Sequence, residues 1–282
     1  MVLSSQFLRS ALLVCAAIAL PSMAAVAAEP LRIVLRNGRA LPLSSVTLQG
    51  SNLSLTTPVE GFTAGQVIPL DLADHVYGDK PSEINPAIAL LLMGKPSDAL
   101  RLLEPIVSSQ RLTAQIPGNF WLEAARAALV AYALEGNTTK CADIGKEISD
   151  ATPSQGIDSF VSLGKALLMP ATVKVADREV ALRDLTTDNL PSDVCAYASF
   201  FRGNLLKAAK RDQEALEAYL MVSCLFPTGG LILSGAAELN ASDYLKASTR
   251  REEAVALLKS AISHTTGTLV VAEANKRLES LK

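Results

Sequence analysis

The sequence predicts a mainly α-helical chain in which helical hairpins stack into a repeat array, an α-solenoid, preceded by a small β module, either a β-sheet or an SH3-like barrel. Three observations predict it. The hydrophobic period is two from Leu31 to about Tyr77 and helical from about residue 80 to the C-terminus. The helical part is rich in Ala and Leu, with few aromatic or β-branched clusters. Within it, small residues, turn residues and prolines recur at similar offsets, which marks a repeat and not an ordinary bundle.

The first element, residues 1–28, has the order of a secretory signal. A short polar leader with one cation, Arg9, precedes an apolar run from Ala11 to Leu20 and small residues ending at Ala28. The run is too short to span a bilayer, and Cys15 follows Val14 inside the apolar stretch, where no lipid attachment is expected. Cleavage is expected after Ala28, with Ala27 the near alternative. About 254 of the 282 residues then remain, enough for a large core or a continuous array. No second long apolar segment follows, so no stable membrane span is expected after cleavage. The chain carries 26 Lys+Arg against 28 Asp+Glu, and losing Arg9 takes the formal charge from −2 to −3. No basic run stands out and aromatics are sparse, which excludes the usual footprint of a nucleic-acid binder.

Residues 29–79 form the second element. Leu31, Ile33 and Leu35 alternate with Arg32, Val34 and Arg36, and Asn37-Gly38 suits a two-residue turn because both residue types can adopt positive φ. Turn residues from Gly50 to Asn52 and from Gly61 to Gly65 allow four or five short strands. The span is too short for two sheets, so a single small curled sheet or SH3-like barrel is expected, packed on the helices as an accessory module. Pro81 to Pro86 is the hinge.

The third element, residues 80–267, is expected to hold about five hairpins. Its clearest stretch runs from Gly203 to Pro227. Gly203 and Ala215 let two antiparallel helices approach closely, the Tyr219 ring fills the gap between them, and Pro227 cannot continue the second helix. With Leu206, these residues fall at the spacing of the tetratricopeptide pattern. The stretch from about Ala196 to Gly229 therefore resembles a tetratricopeptide repeat, although Ser199 replaces the usual early tryptophan. With Gly136 in the inter-helix turn, Tyr132, Cys141 and Pro153 take the matching positions. Gly164 as the small residue of a first helix brings Phe160, Leu163, Leu167 and Ala176 into line. Gly94 in a turn gives Ala99 and Leu103, with Pro105 as a kink, and Ala254 on the packing face gives Leu245 and Leu258. That last second helix opens with Thr249 to Glu252, which reads as a capping box. Starts near residues 80, 122, 157, 196 and 235 are unevenly spaced, so the array is irregular. Residues 268–282, with Leu269 to Leu281, read as a capping helix with a polar outer face. Over roughly residues 80–282 the chain also looks like the repeat arrays of secreted envelope proteins of Gram-negative bacteria. In that group such arrays serve outer-membrane protein assembly and the coordination of envelope constriction, so the resemblance implies a scaffold class and a periplasmic or otherwise secreted location.

Three cysteines remain after cleavage. Cys195 and Cys224 lie symmetrically about the turn Ala209 to Gln213, so in an antiparallel hairpin they face each other. Either they form a disulfide worth about 3 kcal/mol in an oxidising compartment, or they are two buried thiols. Cys141 reads as inert packing. Catalytic and metal chemistry find little support: His75 and His264 fall in different modules, without neighbours at metal-ligand spacing, and His264 suits a helix C-terminus. No phosphate loop, nucleophile elbow or H-E-x-x-H occurs. No enzyme, cofactor or metal is expected.

Such arrays bind through a concave wall of first helices. The resemblance places Tyr197, Phe200, Asn204, Lys207 and Ala208 on that wall, with Asp158, Lys165, Glu123 and Arg126 in neighbouring repeats. Tyr197, Phe200, Asn204, Lys207, Lys165 and Arg126 then form a candidate peptide groove, using ring stacking and amide hydrogen bonds. The alternative is that Phe200 is core and the cations are a solvated face. The expected function is a non-enzymatic protein–protein interaction scaffold whose partner is another protein or a peptide. The alternatives are a self-assembling envelope component, hence a homo-oligomer, or carbohydrate or peptidoglycan binding through the β module.

Overall fold

A computed structural model describes residues 29–152, 158–187 and 189–281. The expected leader, residues 1–28, and Pro153, expected to end the second hairpin, lie outside the described residues. Among the described residues, six strands occupy the N-terminal part and eleven α-helices the rest. No helix among them is long and apolar enough to cross a membrane.

The β module holds β1 (Arg32–Leu35), β2 (Ala40–Pro42), β3 (Val46–Gln49), β4 (Asn52–Leu55), β5 (Val67–Pro69) and β6 (Ala73–Tyr77). They form two antiparallel three-stranded sheets, ordered β2-β1-β6 and β3-β4-β5, which corrects the expectation of one sheet. The short span suffices because it builds one unit twice: a hairpin, a proline, a 3₁₀ turn and a third strand. Pro42 leads into Leu43–Ser45 and Pro69 into Leu70–Leu72, each proline at φ −56°, within the range its ring enforces. Ile33 faces Leu41 as Leu53 faces Ile68. Leu43 N–H donates to Leu31 C=O as Leu70 N–H donates to Ser51 C=O, both at 3.0 Å. The third strand of each unit crosses to the other unit's sheet, β6 onto β1 and β3 onto β4. Neither sheet then needs its own core, and both share Ile33, Leu35, Leu41, Leu53, Leu55 and Ile68. In the sequence only Leu41-Pro42-Leu43 and Ile68-Pro69-Leu70 betray the duplication. Ile116, from the helical part, joins this core, and Val76 N–H donates to Pro117 C=O at 2.9 Å, so β6 seats the module on the helices.

The helices follow as hairpins: α1 (Ile84–Leu92) with α2 (Pro96–Gln110), α3 (Trp121–Leu134) with α4 (Thr138–Ala151), α5 (Ser159–Leu167) with α6 (Val175–Arg183), α7 (Ser192–Ala208) with α8 (Asp212–Leu225), and α9 (Leu231–Ala247) with α10 (Arg251–His264). The last described helix is α11 (Leu269–Glu279). Four of these hairpins turn alike. Gly94, Gly136, Lys210 and Thr249 all take positive φ, between 60° and 75°. The next residue's N–H then reaches back across the turn, from Lys95 to Leu90, Asn137 to Tyr132, Arg211 to Leu206 and Arg250 to Leu245, at 2.9 to 3.0 Å. This satisfies carbonyls that a helix end leaves open. At the same distance past each turn, Ala99, Cys141, Ala215 and Ala254 are buried. Thr249 therefore belongs to the turn and not to a capping box: its Oγ1 donates to Ser248 C=O, and α10 starts without a side-chain cap. The third hairpin departs from the rule. Its helices are short, its connection is longer, and Ala176, expected on the packing face, is exposed while Glu179 and Leu182 turn inward.

The hairpins do not extend into an open array. Helix α1 packs on α3, α3 on α5, α5 on α7, α7 on α9, and α9 back on α1, so five of the described helices close a ring; α11 also packs on α1. In an open solenoid each repeat meets only its neighbours, so the solenoid expectation is corrected to a closed ring. Small residues permit the closure. Helix α3 buries Ala124, Ala125, Ala127, Ala128 and Ala131 and, with Leu129, Val130 and Ala133, is buried round its whole circumference, as befits a helix packed on all sides. The second helices of the hairpins lie outside this ring.

Candidate functional site

The ring gathers the N-terminal ends of its inner helices at one mouth and their C-terminal ends at the other. The N-terminal mouth is a cavity of about 580 Å³ bounded by Asn85 and Ile88 of α1, Leu122, Glu123 and Arg126 of α3, Asp193 and Tyr197 of α7, Leu231 to Leu233 of α9, and His264. The C-terminal mouth is a cavity of about 650 Å³. It is bounded by Leu91 and Leu92 of α1, Leu134 of α3, Leu167 of α5, Asn204 and Lys207 of α7, and Asn240 of α9, with Arg178 of α6 and Arg277 of α11.

The six residues expected to form one groove are not brought together. Tyr197 and Arg126 line the N-terminal mouth, Asn204 and Lys207 line the C-terminal one, and Lys165 is exposed outside both linings. Two helical turns, roughly 10 Å, separate Tyr197 from Asn204 along α7. Phe200 between them is fully buried, with its ring against Phe201 and Tyr219 at centroid distances of 5.4 and 5.8 Å. The groove would need Phe200 on an open concave wall, and packing on Tyr219 of α8, the second helix of its own hairpin, makes it core instead. Ala208 lines the C-terminal mouth; Asp158 is buried.

At the N-terminal mouth the charges are engaged with one another. Arg126 lies between Asp158 at 2.5 Å and Asp193 at 3.3 Å, with its guanidinium 4.9 Å from the Phe160 ring centroid. Asp158 also accepts the Phe160 N–H at 2.9 Å, which caps α5. Lys80 donates to Glu123 at 2.6 Å. Burial, followed by the nearby Glu123 and Asp193 carboxylates, pushes the Tyr197 phenol above its ordinary range, so it stays a neutral hydroxyl. Behind His264, Glu238 is buried with Oε1 accepting from Ser260 at 2.9 Å and Oε2 without a hydrogen bond, 3.9 Å from His264 Nδ1. Burial raises its pKa against the opposing Ser260 hydrogen bond.

The C-terminal mouth differs. Arg277 is held by Leu239 C=O at 2.7 Å, Asp243 at 2.9 Å and Glu273 at 3.2 Å. Arg178 has a buried Nε with no hydrogen-bond partner and makes no ion pair among the described residues, and Lys207 likewise has none. The contrast next door is sharp: Glu179 is shared by Arg202 and Arg211. Burial works against that carboxylate, yet the hydrogen bonds from Arg202 and Arg211 prevail and hold its pKa below the ordinary range. The Tyr219 hydroxyl donates to Asn204 Oδ1 at 2.6 Å, which leaves the Asn204 amino group to face other partners.

No disulfide joins Cys195 to Cys224. The Cys195 sulfur turns to the Thr187 and Leu190 carbonyls, at 3.5 and 3.8 Å, while Cys224 is exposed at the end of α8. Symmetric spacing about the turn does not fix helical phase, and here one cysteine is buried and the other exposed. Cys141 is buried against Leu129, and an added Cβ on Gly164 would meet Leu129 and Cys141. An added Cβ on Gly203 would lie 2.7 to 2.9 Å from the Tyr219 ring. Among the described residues no three His, Cys, Asp or Glu side chains are grouped to hold a metal ion.

Sequence reasoning missed Arg178, Asn240, Arg277, Asp193 and Leu231. Arg178 is on a second helix and Arg277 on the last helix, and only tertiary packing of α6 on α7 and of α11 on α9 carries them to a mouth built from first helices. Compared with protein-family models, with curated proteins and with solved structures, the chain matches none.

Proposed function

We propose that this chain is a non-enzymatic interaction scaffold, secreted into the periplasm, that docks a segment of a partner protein at its N-terminal mouth. The observation that carries this is Leu231, a large apolar side chain 60% exposed at the rim of a cavity whose walls include Ile88, Leu122 and Tyr197. An exposed leucine beside an apolar cavity is the kind of anchor a partner covers. The tetratricopeptide likeness is supported by the four hairpins that share one turn geometry at Gly94, Gly136, Lys210 and Thr249. Secretion rests on the leader, and the intact mass of the exported chain should place its first residue at Glu29.

The test is affinity capture of residues 29–282 from an envelope extract beside a Leu231→Asp variant, with crosslinking to locate the bound partner. Leu231 is exposed, so the variant keeps the fold. A partner held by the wild type, crosslinked at the N-terminal mouth and lost from Leu231→Asp supports docking there; equal recovery from both rejects it. A second reading, self-assembly, is favoured by the edge strands β3 and β5, which expose Leu48 and Val67. Light scattering of wild type and a Leu48→Lys, Val67→Lys variant separates the two, since only self-assembly requires mass to grow with concentration and to fall in the variant.

A further inference from the structure

The C-terminal mouth combines features absent from the other. Its floor is apolar and nearly buried: Leu91 is 1% exposed, Leu182 4% and Phe201 6%. Its polar groups are cations and amides, and none of its lining residues is acidic. Two of those cations, Arg178 and Lys207, have no carboxylate or hydrogen-bond partner among the described residues. The C-terminal dipole of α7 is enough to favour a cation at Lys207. No such cause acts on Arg178: its Nε lacks a partner as the Arg126 Nε does at the other mouth, but Arg126 has two carboxylates and Arg178 has no counter-ion among the described residues. A half-buried cation without a counter-ion is costly, and an anion at its accessible side relieves that cost. A mostly apolar cavity of this size with a few convergent polar groups is the usual form of a small-molecule site.

We infer that the C-terminal mouth binds a single-chain anionic amphiphile, a long-chain fatty acid in the simplest case, with its carboxylate between Arg178 and Lys207 and its hydrocarbon tail over Leu91, Leu182 and Phe201. The Asn204 amino group, left over by the Tyr219 bond to its oxygen, and the Asn240 amide border the same cavity and can donate to the head group. The carboxylate needs both halves of the site. A short anion has the cations but leaves the apolar floor uncovered, and a neutral ester covers the floor but leaves Arg178 unmatched. This site is independent of docking at the N-terminal mouth.

The experiment is displacement of a fluorescent fatty acid, 11-(dansylamino)undecanoate, from residues 29–282 by palmitate, methyl palmitate, acetate, inorganic phosphate and an Asp/Glu-rich peptide. Palmitate is expected to displace the probe and the other four to displace it poorly. Arg178→Gln and Lys207→Gln should each weaken palmitate about ten-fold, Arg178→Lys should recover part of that loss, and all three should melt like the wild type. Lys165→Gln, which removes a cation outside the cavity, should bind normally. Equal binding of palmitate and its methyl ester, an equal loss in Lys165→Gln, preferential binding of the acidic peptide, or no probe binding at all would each overturn the proposal.

Discussion

At the N-terminal mouth of the ring Arg126 is held by Asp158 and Asp193, and Lys80 by Glu123; at the C-terminal mouth Arg178 and Lys207 are held by nothing described. The same inner helices build both mouths, but carboxylates line only the N-terminal one. What differs is whether a second charged element was brought within reach. An arginine paired on both sides fixes geometry, and one left open is available to an anionic ligand.

The largest effect that tests this difference is expected from Arg126→Ala. It leaves Asp158, with a side chain only 1% exposed, charged and without its cation, and removal of one partner of a buried pair costs about 3–5 kcal/mol. Urea unfolding should show that loss, and adding Asp158→Asn should restore part of it; a variant as stable as the wild type would mean that the N-terminal network holds nothing in place. Between the mouths, Gly203→Ala drives a Cβ into the Tyr219 ring. It should cost about 1–3 kcal/mol, read as a lowered Tm, and should impair both mouths equally because α7 lines each.

A smaller effect, visible as a pH slope, is expected at Glu238. Its folded pKa is raised by burial, so the native state holds the proton more tightly than the unfolded chain. The charged carboxylate then works against folding, and this contribution lowers stability as pH rises from the unfolded pKa through the folded one. Glu238→Gln keeps a group for Ser260 and should be more stable than the wild type at neutral pH, with the gain vanishing toward pH 4. Thermal melts of both across that range decide it, and a gain that does not depend on pH would reject the burial argument. The smallest change is expected at the open cations: Arg178→Gln and Lys207→Gln should stay within about 0.5 kcal/mol of the wild type by urea unfolding. A loss comparable with that of Arg126→Ala would place them in the structural network and erase the contrast between the mouths.

The division into a small β module and a helical part was legible in the sequence, because the alternation of Leu31, Ile33 and Leu35 and the helical period beyond residue 80 are local patterns. The turns at Gly94 and Gly136 were legible for the same reason. Lys210 and Thr249 take the same left-handed position without the glycine that signals it, and Thr249 was read as a cap instead. The paired sheets were hidden because the duplicated units share little beyond an apolar residue, a proline and a leucine. Phe200 and Tyr197 were expected on one open wall; whether a ring on a first helix faces solvent or core depends on which neighbouring helices cover it, here Tyr219 of α8 and Phe160 of α5.

Residue order alone determined the element types, their order and the boundary near residue 80, since hydrophobic period, turn φ and helix propensity act over a few neighbouring residues. Tertiary structure decided that the array closes, through contacts of α1 with α9 and α11 that depend on the curvature accumulated over five hairpins. That closure splits the expected groove into two mouths and sets Arg178, Lys207 and Arg277, distant in sequence, around one cavity. Charge pairing is a matter of a few ångströms in space, so which arginine is matched and which stays open was settled by the packing of the ring.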